Sequence, residues 1–333
     1  MKLCIFRKKD KIAEKEQKRI ESVLKKYDVE YTSYKNLKNI ECDILLVIGD
    51  DRTILDTFLE MKKEIPVLGI GIGGSHFLAE IEAENFEMYI KKILKNNYWV
   101  EKRMRLGVKI DEKKIPSALN EIVVSPSKPG VFLRYSLKIN DQLVWRDSGD
   151  GVIVSTPTGS TSYALSAGGS ILTEDSKAIE IVPICSAKMN KPLIVNEEAK
   201  ICLFDISSTK GAEVLIDGKY RYRLKEEKIL IERSKSTANF VRFDKKIYLG
   251  LFGKLREKSE KIFLPNTAPP SAKFIYKLLT YEGSMTQKEI INESNLPPRT
   301  VRHALNYLLE IGAIERHLTL RDTRQSIYMI KKS

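Results

Sequence analysis

The first hundred residues alternate between short apolar runs and charged stretches, and this alternation constrains the fold more than any other feature. The apolar runs at residues 3–6, 44–48 and 67–72 have the length of buried strands, whereas residues 11–27 carry apolar side chains at helical spacing. Strands that alternate with helices are typical of an α/β domain with a parallel sheet. The pattern therefore predicts an α/β domain over residues 1–105.

The middle of the chain follows a different pattern. From about residue 104, helix signals become sparse and strand-like runs bounded by turn residues accumulate. Turn pairs such as Asn140-Asp141 and Asp217-Gly218 follow runs of apolar residues. Residues 106–234 are thus predicted to form a β-rich domain.

Prolines divide the rest of the chain. Pro265, Pro269 and Pro270 stand beside Asn266-Thr267, a combination that interrupts both helices and strands. We therefore expect a linker over residues 257–270 and a separate domain over residues 271–333.

The predicted C-terminal domain has the order helix, helix, turn, helix and β-hairpin. Thr286 and Glu289 have the spacing of a capping box at the start of the second helix, and Pro298 suits the first turn of the third. This order resembles the winged helix-turn-helix superfamily, particularly its MarR-like members. The resemblance implies that the third helix enters the major groove of double-stranded DNA, while the hairpin touches the backbone or the minor groove.

Basic residues support this interpretation, because they outnumber acidic residues ten to six from Ser271 onward. Winged helices also serve as dimerisation or protein-docking modules, so that alternative is open. The predicted DNA-contact residues are Arg299, Thr300, Arg302, Asn306, Arg321 and Arg324.

Composition limits the partners and the compartment. The 333 residues include 57 basic and 44 acidic side chains, and the net charge of +13 favours a polyanionic partner, with a solvated lysine-rich surface as the alternative. No apolar run approaches the roughly 20 residues that span a bilayer. We therefore expect a cytoplasmic protein without a membrane partner. The four scattered cysteines and three histidines predict neither a disulfide framework nor a metal site.

The most specific string is GDGVIVSTPTGSTSYALSAGG at residues 149–169. It is a strand that runs into a loop rich in hydroxyls and glycines, where backbone and small donors can approach a ligand. The string closely resembles the signature of the NAD kinase family. Further landmarks of that family occur in the same order, at residues 119–121, 183–185 and 248–255, so the likeness spans about residues 1–256.

The family resemblance implies a fold and a ligand. The fold is an N-terminal α/β domain and a β-rich middle domain, with residues 235–256 returning to the first. The ligand is NAD or NADP, and the resemblance also implies a homodimer or homotetramer. Contacts to adenine and ribose are implied for Asn120, Glu121, Thr161 and Tyr163, and places in the same cleft for Asp150 and Ser166.

One loop departs from the family pattern Gly-Gly-Asp-Gly-Thr, because here it reads Gly49-Asp50-Asp51-Arg52-Thr53. The resemblance makes Asp51 the possible catalytic base and adds Gly49, Asp51 and Phe77 to the cofactor-binding residues. If the replaced glycines need positive φ, Asp50 and Arg52 each cost about 1 to 2 kcal/mol in strain. Asp50 also adds negative charge where polyphosphate should lie.

Two alternatives remain open at this loop and its neighbour. Asp50 and Asp51 can instead share Mg²⁺ while Arg52 clamps a phosphate oxygen. His76 stands where the family has a glycine before the matching Phe77-Leu78, and it is either a catalytic base or a side chain that fills a pocket.

These observations lead to two functional hypotheses. The first is an NAD(P)-sensing, DNA-binding transcription regulator with weak or lost kinase activity. The alternative is an active NAD kinase that uses ATP or polyphosphate with Mg²⁺ and regulates its own gene through its DNA-binding tail. An oxidoreductase has in its favour only a weak glycine pattern at residues 69–74.

Overall fold

The computed structural model describes residues 1–37, 40–73, 76–110, 113–224, 228–243, 268–282, 285–294, 296–318 and 326–330. It divides into two compact units, Met1–Lys254 and Leu255–Ser333. Among the described residues, no helix combines the length and the apolar composition needed to cross a membrane.

The first unit begins with a parallel sheet flanked by helices, which confirms the predicted α/β architecture. The helices are α1 (Lys11–Lys26), α2 (Asp51–Glu60) and α3 (Phe86–Leu94). The first strands are β1 (Leu3–Arg7), β2 (Tyr31–Ser33), β3 (Ile44–Gly49), β4 (Val67–Gly71), β5 (Ile81–Glu82) and β6 (Trp99–Arg103).

The strand order is β2-β1-β3-β4-β19-β6, where β19 is Ala238–Arg242, and β5 pairs with β4. Strand β19 comes late in the chain and pairs in parallel with β4 and antiparallel with β6. Residues 238–242 therefore complete the first sheet. The predicted closing segment at residues 248–255 lies outside the described residues, and the predicted domain boundaries stay predictions.

Strand β3 shows why helices cover both faces of this sheet, because all six of its residues are buried. Its side chains alternate between faces. Ile44, Leu46 and Ile48 pack in the cluster that contains α1 and α3. Leu45 and Val47 pack in the cluster that contains α2. The α2 side of the sheet also carries the candidate active site.

The middle of the first unit is a sandwich of two six-stranded antiparallel sheets, as the β-rich prediction expects. One sheet has the order β11-β10-β15-β18-β7-β8 and the other β14-β13-β12-β9-β16-β17. A single buried cluster joins their inner faces. The strands are β7 (Leu106–Ile110), β8 (Lys113–Ala118), β9 (Glu121–Pro126), β10 (Leu133–Ile139), β11 (Gln142–Gly149), β12 (Gly151–Ser155), β13 (Ala178–Ile184), β14 (Leu193–Asn196), β15 (Ile201–Ser207), β16 (Ala212–Ile216), β17 (Tyr220–Arg223) and β18 (Ile229–Arg233). The short helix α4 (Tyr163–Ser166) lies between β12 and β13 in the chain.

The described residues of the second unit form three helices and a small antiparallel sheet around an apolar core of their own. Thr286 and Glu289 form the predicted capping box, since the Thr286 amide donates to Glu289 Oε2 at 2.7 Å and the Glu289 amide donates to Thr286 Oγ1 at 3.3 Å. The elements are α5 (Pro270–Glu282), β20 (Met285–Thr286), α6 (Gln287–Ser294), α7 (Pro298–Glu310), β21 (Ile314–Leu318) and β22 (Ser326–Ile330).

Candidate active site

The site begins where β3 ends and α2 starts. Asp50 caps α2, because its Oδ1 accepts from the amide of Thr53 at 2.9 Å and from the Thr53 hydroxyl at 2.6 Å. Its other oxygen, Oδ2, lies 2.7 Å from Lys8 Nζ. Burial raises the pKa of Asp50, but the hydrogen bonds from Lys8 and Thr53 outweigh it and bring the pKa to about 2. Asp50 is therefore a charged, fully engaged helix cap.

The backbone strain expected at Asp50 and Arg52 is absent from this loop. Asp50 has a φ of −92°, in the extended region, and Arg52 lies within helix α2. Neither residue has positive φ, so neither incurs the left-handed penalty that replaced glycines would carry. The added charge of Asp50 is paired with Lys8. Gly49 is required for a different reason: a Cβ there would lie 2.5 Å from Thr53 Oγ1.

Asp51, the first residue of α2, is oriented by the backbone of a neighbouring segment. Its Oδ2 accepts from the amide of Phe77 at 2.8 Å, and its Oδ1 accepts from the amide of Leu78 at 2.9 Å. Both bonds fix the carboxylate while leaving lone pairs on each oxygen. The structure thus brings together two predicted site residues, Asp51 and Phe77, although they are far apart in sequence.

A magnesium ion shared by Asp50 and Asp51 stays a prediction. Each oxygen of Asp51 accepts one hydrogen bond from a backbone amide and keeps a lone pair, whereas Asp50 is engaged by Lys8 and Thr53. Across the described ranges, no three acidic, cysteine or histidine side chains are grouped as metal ligands. Arg52 is also engaged, since its guanidinium donates to the carbonyl of Asp217.

His76 directly precedes Phe77, whose amide donates to Asp51. It is 7% exposed, and its ring packs so closely over Gly71 that a Cβ on the glycine would lie 2.4 Å from His76 Cδ2. His76 Nε2 is buried without a hydrogen-bond partner among the described residues. The imidazole therefore occupies space at the end of β4, one residue before Phe77.

Asn120 and Glu121 lie at the start of β9, in the sandwich. Both side chains are more than nine-tenths buried. Asn120 Oδ1 and Glu121 Oε2 nevertheless have no hydrogen-bond partner in the described part of the chain. Buried polar atoms of this kind are costly unless a partner satisfies them. The two residues therefore present polar atoms suited to a ligand.

Glu121 has a strongly altered acidity. Burial and the nearby carboxylate of Asp217 raise its pKa to about 8, while the Ser162 hydroxyl and the Arg52 cation act in the opposite direction. At neutral pH this carboxyl is mostly protonated, so it can donate one hydrogen bond. A neutral, donating carboxyl suits a ribose hydroxyl or a base nitrogen.

The predicted binding loop packs directly against Asn120. Thr156 donates from its amide to the Asn120 carbonyl at 2.9 Å. A Cβ on Gly159 would lie 2.2 Å from the same carbonyl, which explains the glycine. Thr161 is buried in the short 3₁₀ turn (Gly159–Thr161) that follows.

Helix α4 (Tyr163–Ser166) carries the exposed part of the loop. Burial raises the pKa of Tyr163, and electrostatic interaction with Asp150, Cys185 and Glu121 raises it further. Asp150 is exposed between β11 and β12. Ser166 is exposed at the end of α4, and no described contact joins it to the other predicted residues.

Sequence reasoning missed the central role of Asp217. Its carboxylate is 2% exposed and accepts from the amides of Leu119 at 2.7 Å, Asn120 at 2.8 Å and Glu121 at 3.0 Å. The Asp217-Gly218 pair signals a turn, but nothing in the sequence shows that its side chain points at residues a hundred positions earlier.

The family model described as the ATP-NAD kinase N-terminal domain matches residues 5–98, and the ATP-NAD kinase C-terminal domain matches residues 119–243. This chain belongs to the NAD kinase family. It is 37% identical to the NAD kinase of Methanothermobacter thermautotrophicus, over 67% of this chain and 78% of that protein. With the NAD kinase of Clostridium perfringens it shares 36% identity over 69% of this chain and 83% of the other.

Solved structures of the NAD kinase family have the same fold. An NAD kinase from Archaeoglobus fulgidus in complex with ATP superposes with a TM-score of 0.67 and 32% identity, covering 77% of this chain and 99% of that one. Yeast NADH kinase complexed with NADH superposes with a TM-score of 0.68 and 21% identity, covering 77% of this chain and 86% of that one. At this identity the likeness supports the fold alone.

The family membership corrects the first functional hypothesis. The interpretation as a transcription regulator with weak or lost kinase activity is wrong, because NAD kinases match most of the chain at 33–38% identity. The altered loop that suggested lost activity is accommodated without backbone strain.

Proposed function

We propose that this chain is an active NAD kinase that transfers the terminal phosphoryl group of ATP or polyphosphate to the 2′-hydroxyl of NAD. The observation that carries the proposal is the carboxylate of Asp51, which two backbone amides hold at the carboxyl end of the parallel strands. Ligands of open α/β sheets bind at this edge. The buried, unpartnered atoms of Asn120 and Glu121 supply a neighbouring site for the acceptor.

In this mechanism Asp51 is the general base. The 2′-oxygen of NAD attacks the terminal phosphorus, the bond from phosphorus to the bridging oxygen breaks, and the shortened phosphate donor leaves. The proton of the hydroxyl moves to a carboxylate oxygen of Asp51. Because the amides of Phe77 and Leu78 already fix both oxygens, the carboxylate needs little reorganisation during the transfer.

The remaining site residues bind and orient the dinucleotide. Asn120 and Glu121 contact adenine and ribose, with the protonated Glu121 donating one hydrogen bond. Thr161 and Tyr163 contribute from the loop that packs on Asn120. Asp150 and Ser166 line the same cleft, while Gly49 lets α2 start close to β3.

A coupled assay tests the proposal. Purified protein is incubated with NAD, ATP and Mg²⁺, and NADP is measured. We expect turnover that falls by about 10² to 10⁴ in Asp51→Asn, the usual contribution of a general base. Asp43→Asn, which changes an exposed aspartate of the same domain, is the control and should keep its activity. Absence of NADP from the unaltered protein, or full activity in Asp51→Asn, would contradict the proposal.

For the second unit we propose a winged helix-turn-helix fold, supported by the order of α5, α6, α7 and the β21–β22 hairpin. Its DNA contacts stay a prediction. Arg299, Arg302 and Asn306 are exposed on α7, and Thr300 is half-buried. The hairpin residues predicted to contact DNA, Arg321 and Arg324, lie outside the described residues. A homodimer or homotetramer is likewise a prediction.

A further inference from the structure

The turn between β16 and β17 contacts both halves of the candidate active site. Asp217 and Gly218 have positive φ values of 44° and 65°, a conformation that the Asp-Gly pair favours. The turn exposes the Asp217 carbonyl to helix α2, while the Asp217 side chain is directed into the protein. One residue therefore faces two different segments.

The inward contact fixes the predicted dinucleotide-binding segment. The carboxylate of Asp217 accepts three amides from residues 119–121, and the Asp217 amide donates to the Glu121 carbonyl at 3.0 Å. Four hydrogen bonds thus determine where the backbone of Asn120 and Glu121 lies.

The outward contact comes from Arg52, the residue after the proposed base. Its Nη1 donates to the Asp217 carbonyl at 2.5 Å, and its Nε lies 3.2 Å from Asp56 Oδ1 one turn along α2. The ion pair with Asp56 orients the guanidinium toward the turn. Lys219 adds a second connection, since its Nζ lies 2.6 Å from Glu60 Oε1 on the same helix.

We propose that Arg52 is a positioning residue that ties the helix carrying Asp51 to the segment carrying Asn120 and Glu121, and so sets the affinity for the dinucleotide. The assignment of the dinucleotide to that segment rests on the proposed function. This role is supported by the hydrogen bond from Arg52 Nη1 to the Asp217 carbonyl, while Arg52 Nε lies in an ion pair with Asp56.

The test compares Arg52→Met with Arg221→Met in the full-length protein. Arg221 lies on β17 and pairs with Glu213 at 2.9 Å, so the control removes an arginine from the same hairpin without touching Asp217. KM is measured for NAD at saturating ATP and for ATP at saturating NAD, and thermal unfolding shows that each variant is folded. We expect Arg52→Met to raise KM for NAD on the order of tenfold, as for the loss of a charged hydrogen bond, with KM for ATP within about twofold.

A second readout separates positioning from general loosening of the fold. The Arg52 cation lowers the pKa of Glu121, in opposition to burial and Asp217, which raise it. In Arg52→Met the alkaline limb of kcat/KM for NAD should move to higher pH, and Arg52→Lys should move it back. A rise in KM for ATP alone, or equal effects in Arg221→Met, would overturn the proposal.

Titration calorimetry with NAD keeps this test separate from the proposed function. If the unaltered protein binds NAD but produces no NADP, the kinase proposal fails, while weaker NAD binding in Arg52→Met still supports the positioning role. Unchanged NAD affinity in Arg52→Met would refute that role whether or not the protein is active.

Discussion

Removing the titratable group at Glu121 should change how the stability of the first unit depends on pH. The side chain is 7% exposed, and burial together with Asp217 raises its pKa to about 8. Glu121→Gln keeps the shape and the capacity to donate a hydrogen bond but cannot ionise. We expect the variant to be more stable than the unaltered protein at neutral and alkaline pH.

The magnitude follows from linkage between ionisation and folding. An ordinary glutamate has a pKa of 4.5, so between that value and about 8 the unfolded chain loses its proton while the folded protein keeps it. Each pH unit in this window removes about 1.4 kcal/mol of folding free energy. The unaltered protein therefore loses stability as pH rises. The free energy of unfolding of Glu121→Gln, relative to that of the unaltered protein, should increase by about 3 to 4 kcal/mol between pH 5 and pH 8.

Urea unfolding followed by tryptophan fluorescence measures this gain. Both tryptophans of the chain, Trp99 and Trp145, lie in the first unit, so the signal reports on that unit alone. The control is Glu101→Gln, since Arg103 and Arg242 outweigh burial and lower the pKa of Glu101. That variant should be destabilised by a constant amount from pH 5 to pH 8. A constant difference for Glu121→Gln as well would refute the reasoning.

Two further predictions concern the binding loop and α7. Gly159→Ala places a methyl group 2.2 Å from the Asn120 carbonyl, so we expect a loss of about 1 to 3 kcal/mol in urea unfolding and weaker NAD binding by calorimetry. Gly107→Ala, whose Cβ would meet its neighbours only at 3.6 Å, should have little effect, and equal losses would contradict the packing argument. If the exposed face of α7 contacts DNA, Arg302→Ala should weaken duplex binding in a mobility-shift assay and reduce its salt dependence by about one phosphate contact. If the unaltered protein does not bind the duplex, or binds it independently of salt, the DNA-contact prediction is wrong and the dimerisation or protein-docking alternative is favoured.

Sequence patterns were sufficient to locate the parts of the site that depend on local structure. The apolar run at residues 44–48 predicted strand β3, which ends at Gly49. Asp51 was indicated by the resemblance of residues 49–53 to the family's loop, and it lies at the carboxyl end of the parallel strands, the edge where ligands of such sheets bind. The loop after β12 was recognisable because its glycines and hydroxyls are consecutive in the chain.

The sequence was misleading at Asp50 and Arg52. As replacements for glycine they predicted strain and lost activity, but that conclusion required a positive φ that neither residue has. Asp50 is a helix cap paired with Lys8, and Arg52 binds a carbonyl 165 residues away. Lys8 and the Asp217 carbonyl are brought to these side chains by the tertiary structure, so residue types alone do not predict the contacts.

The sequence by itself determined the classes of structure and the chemical groups available: an α/β sheet, a β-rich domain, a separate helical tail and a hydroxyl-rich binding loop. These depend on periodicity and on neighbouring residues, which the chain carries locally. Only the tertiary structure decided how the groups act. The turn at Asp217 meets Asn120 and Arg52 because strands β9 and β16 pair and α2 packs near their ends. Burial at that junction then determines which carboxyl is charged, because the cost of ionisation depends on the surroundings that folding creates.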